Sequence, residues 1–171
     1  MTLLGFIDHR LQVVLTIVLI IFFFMFLGRI DFVYIPRDTM ASPTVDLGFV
    51  TIHEGWFWMW IVGFPLLALG VAATYVFGAS DTERNMWYGF GLGATVILFA
   101  VGQLEDFFYH FVNPEVSWIP ASQDWAYNGW SAENNLCWRL FGTWNTDMHL
   151  IWLSCFIAIV VCMWIAIFRR C

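Results

Sequence analysis

The run LQVVLTIVLIIFFFMFLG, Leu11 to Gly28, decides how this chain is read. It holds no ionisable side chain over about 18 residues, and Arg10 and Arg29 close its two ends. A helix needs roughly 20 apolar residues to cross about 30 Å of hydrocarbon. A cleaved signal would be followed by a small-residue cleavage pattern. Here Arg29, Ile30 and Asp31 follow instead, so the run reads as a retained helix. Three further runs of similar character lie downstream: about Gly55 to Gly78, about Met86 to His110, and Met148 to Phe168 with Arg169 and Arg170 behind it.

The composition agrees with the runs. Hydrophobic residues make up 61% of the chain and charged residues only 12%. A water-facing shell normally brings charge to about 25%. The expectation is an all-α polytopic membrane protein: one membrane domain, residues 1–171, built as a bundle of about four transmembrane helices. Its partners are the lipid bilayer and, through exposed aromatic surface, other membrane subunits. Seven basic against thirteen acidic residues exclude the basic footprint of a nucleic-acid binder.

Four spans bring both termini and the short loop Ala79 to Asn85 to one side, together with Arg10, Arg84, Arg169 and Arg170. The positive-inside rule makes that side cytoplasmic. The outer side receives two long loops, Ile30 to Glu54 and Phe111 to Asp147. The second carries Trp118, Trp125, Trp130, Trp138 and Trp144. Tryptophan favours the interface, where its ring meets apolar chains and its N–H meets water, so the loop reads as an interfacial cap or a partner-binding surface. Cys155 and Cys162 fall in the fourth span and Cys171 at the cytoplasmic end, which leaves Cys137 as a lone exterior thiol. Gly63 and Gly70 in the second run, and Gly89, Gly91 and Gly93 in the third, suit close helix packing, and Pro65 a kink.

The chemistry-bearing residues gather at the outer ends of the spans. His53 and Glu54 precede the second helix, Glu105, Asp106 and His110 end the third, and Asp147 and His149 open the fourth. Ionisable groups at membrane depth are costly and point to function. Asp106 and His110 are four residues apart and share a helix face, with Gln103 extending the stripe inward. Glu105 points to another neighbour. Thr146 is placed to cap the fourth helix and Thr51 the second, which sets both His149 and His53 near the membrane surface. A carboxylate with two or three imidazoles from different helices suits copper, zinc or iron. The candidate metal ligands are Asp106, His110, His149 and His53, with Glu54, Glu105 and Asp147 behind them. The same groups can also serve as plain interfacial residues, with a carboxylate orienting a histidine. His9, between Asp8 and Arg10, reads as solvated.

Two local patterns resemble a known family, the copper membrane monooxygenases, which oxidise ammonia or methane. Asp46-Leu-Gly-Phe49-Val-Thr-Ile-His53, entering a Trp-rich helix, is similar to the Asp-x-x-Phe-Thr-Pro-x-His run in one of that family's membrane-embedded subunits. Asp106-Phe-Phe-Tyr-His110 resembles the Asn-x-x-x-His pair of the same subunit, with His149 as the one residue able to complete it. The resemblance implies copper at Asp106, His110 and His149 in one subunit of a larger oxidoreductase complex acting on a small apolar substrate. The chain departs from the family in having Asp106 for Asn and in lacking the upstream Asp-x-x-x-His pair between Asp31 and Asp46. Two other function classes stand beside it: a non-catalytic accessory subunit packing through its Trp-rich loop, and a pigment, quinone or lipid site among the Phe-rich helices.

Overall fold

The computed structural model describes residues 9–34, 44–46, 51–53, 57–77, 82–112 and 146–171. The Trp-rich loop, Cys137 and Glu54 lie outside these residues, as do the side chains of His53 and His110. Among the described residues, five α-helices carry the fold: α1 (His9–Tyr34), α2 (Phe64–Phe77), α3 (Thr82–Val101), α4 (Leu104–Val112) and α5 (Thr146–Arg170). Three stretches are long and apolar enough to cross a membrane: His9–Ile30, Met59–Phe77 and Asp147–Arg170. That is the construction of a helical membrane protein.

One expected helix divides in two. The run from Met86 to His110 is not continuous: α3 ends at Val101 and α4 starts at Leu104. Upstream, Thr51 does not cap a helix. It lies in strand β2 (Thr51–His53), antiparallel to β1 (Thr44–Asp46), with Asp46 opposite Thr51 and His53 opposite Thr44. α2 is preceded by a π-helical turn, Met59–Gly63, closed by a bond from the Phe64 N–H to the Met59 carbonyl. Pro65 follows at the second position of α2. A proline ring clashes with the carbonyl four residues back and removes one donor, and a widened turn relieves both.

α3 is the centre of the bundle. Tyr88, Leu92, Val96 and Phe99 form its buried stripe, each at most 4% exposed. Phe24 of α1 stacks on Phe64 of α2 (ring centroids 5.4 Å apart, planes at 15°) and meets Phe99 of α3 edge-on at 6.2 Å. On the side of α5, Trp164 Nε1 donates to Thr95 Oγ1 at 3.0 Å, and the Thr95 hydroxyl donates to the Gly91 carbonyl at 2.7 Å. Both polar groups are thereby satisfied in an apolar interior, where an unmade bond is expensive.

Small residues set how closely the helices approach. A Cβ on Gly89 would lie 2.8 Å from the Ala72 carbonyl oxygen, and one on Gly93 would lie 3.1 Å from that of Ala68. The glycines, four residues apart on α3, thus meet two alanines four apart on α2, the small-xxx-small contact of membrane helices. Gly91 instead faces Ile167 and Trp164 of α5.

The contacts also fix directions. Near the start of α1, Thr16 Oγ1 lies 3.1 Å from the Tyr75 hydroxyl at the end of α2. Arg10 donates to the Phe168 carbonyl at 3.5 Å, and Arg170 sits over the Trp87 ring at 4.3 Å beside Glu83 at 3.7 Å. The beginnings of α1 and α3 therefore share one end of the bundle with the finishes of α2 and α5. The break between α3 and α4 lies at the other end.

Candidate metal centre

The break is built from backbone outward. The Gly102 N–H reaches the Leu98 carbonyl at 2.8 Å, the last regular bond of α3. The Gln103 N–H then turns back to the Ala100 carbonyl at 2.9 Å, three residues away rather than four. Gln103 itself has φ 58°, the left-handed region, which costs a residue with a Cβ about 1–2 kcal/mol. From there the Phe107 N–H bonds to the Gln103 carbonyl at 3.2 Å and α4 begins.

At this turn α5 brings side-chain donors to two carbonyls. Trp152 Nε1 donates to the Val101 carbonyl at 2.8 Å. His149 Nε2 lies 3.0 Å from the Gln103 carbonyl oxygen. A carbonyl only accepts, so Nε2 carries the hydrogen, and in the neutral ring Nδ1 carries the lone pair. His149 and Trp152 are three residues apart on α5, one turn, which lets both reach the break from one face.

α1 holds the far side. A Cβ on Gly28 would sit 2.7 Å from the Tyr109 nitrogen, 2.9 Å from the Glu105 carbonyl oxygen and 2.9 Å from the Phe108 carbonyl carbon. Backbone here packs on backbone, and that contact seats the first turns of α4. Glu105 is buried at 6% exposure and Asp106 is half-buried.

His149, in the first turn of α5, is 1% exposed and among the largest fully buried side chains, enclosed by the bundle itself. Its ring is held there against the Gln103 carbonyl. Gln103 does not extend the stripe of Asp106 as a continuous helix would require, because its left-handed backbone separates the two helices. Asp106 and His110 do share the backbone of α4, while Asp147 is exposed at the start of α5. Among the described residues, no three His, Cys, Asp or Glu side chains converge on one point.

Sequence reasoning placed Gln103 on the stripe of Asp106 but missed the break it makes, and it missed Trp152 as a donor to that break. The available signal was Gly102 inside an apolar run, a common mark of a helix end. No protein family, curated protein or solved structure matches the chain.

Proposed function

We propose that the protein is a metal-binding membrane subunit whose site lies at the α3–α4 break, with Asp106, His110 and Nδ1 of His149 as ligands. One observation carries this reading: the bond from His149 Nε2 to the Gln103 carbonyl. Metal-binding histidines characteristically donate their other ring N–H to a carbonyl or carboxylate, which fixes the tautomer and aims the ligating nitrogen. His149 has that arrangement, and it is buried where a solvated interfacial histidine would not be. Broken helices in membranes mark binding sites, since irregular backbone survives there only inside protein or around a cavity. The donor set of imidazoles and a carboxylate suits copper first, with zinc and iron as alternatives.

The proposal includes four crossings, with α3 as the fourth and innermost, and the termini in the cytoplasm. The alternating directions of α1, α2, α3 and α5 support the count. The four arginines Arg10, Arg84, Arg169 and Arg170 support the orientation. If the resemblance to the copper membrane monooxygenases extends to activity, the bound metal would supply oxidising chemistry toward a small apolar substrate within a larger complex. The test is metal content of the purified protein, repeated with His110→Ala and His149→Ala. Both variants should lose the metal; unchanged content in both would sink the reading.

A further inference from the structure

We draw no further inference here: the strongest candidate, the outward face of α5 on which Ser154, Ala158, Cys162 and Ala166 stand exposed at four-residue spacing, is a stripe of small residues, and nothing among the described residues shows what covers it.

Discussion

Replacing Gly28 by alanine tests the packing that seats the candidate site. The new Cβ would lie 2.7 Å from the Tyr109 nitrogen, where ordinary contact begins near 3.4 Å, so the two backbones must part by roughly 0.7 Å. All three nearest atoms belong to the backbone of α4, and none can rotate aside. Overpacking of this kind costs about 1–3 kcal/mol, and a backbone obstacle places it at the upper end. Against it stands a gain of about 1 kcal/mol from replacing glycine within a helix. The net is a loss of about 2 kcal/mol. Gly70 supplies the internal control, since a Cβ there meets nothing within 4 Å and the full gain survives. The two variants should therefore differ by about 3 kcal/mol, on the order of a hundredfold in the folding equilibrium. Reversible unfolding in mild detergent, titrated with a denaturing detergent, reads the difference directly. If Gly28→Ala is as stable as Gly70→Ala, the backbone-to-backbone contact between α1 and α4 is wrong.

Three further outcomes follow from the same geometry. Gly89→Ala should destabilise more than Gly93→Ala, because the first Cβ meets a carbonyl oxygen at 2.8 Å and the second at 3.1 Å; the unfolding midpoints of the pair decide it. Thr95→Val should cost about 1–2 kcal/mol by orphaning the Trp164 N–H, and Thr95→Ser should recover most of the loss in the same assay. Cys155 and Cys162 are exposed on α5, within a stretch apolar enough to cross a bilayer. In sealed vesicles a membrane-impermeant maleimide should leave both unlabelled until the protein is denatured, and labelling of Cys171 from the cytoplasmic side alone would support the proposed orientation.

Much of the helical layout was legible because span-length apolar runs admit few alternatives in a chain with 12% charge. The run Leu11 to Gly28 lies inside α1, and Met148 to Phe168 inside α5. The break at Gly102–Gln103 was not legible, and the reason is physical. Apolar residues run from Val96 to Val101 and resume from Phe107 to Tyr109, and the one local mark between them, Gly102, does not by itself end a helix. What stabilises the break is a pair of donors far along the chain: His149 is 46 residues from Gln103 and Trp152 is 51 from Val101. Local sequence carries no record of such partners. The same long-range bond accompanies the burial of His149, which its place at a helix start does not reveal. The hairpin of β1 and β2 was missed for another reason: each strand has only three residues, too few to establish an alternating pattern. Asp106 and His110, by contrast, were readable as one helix face from their spacing alone, and α4 carries both.

Electron paramagnetic resonance of the copper(II)-loaded protein tests the central claim most directly. The proposed site predicts one copper per chain with hyperfine coupling to imidazole nitrogen, diminished in His149→Ala while the variant stays folded. A spectrum without nitrogen coupling, or one identical in His149→Ala, would contradict it.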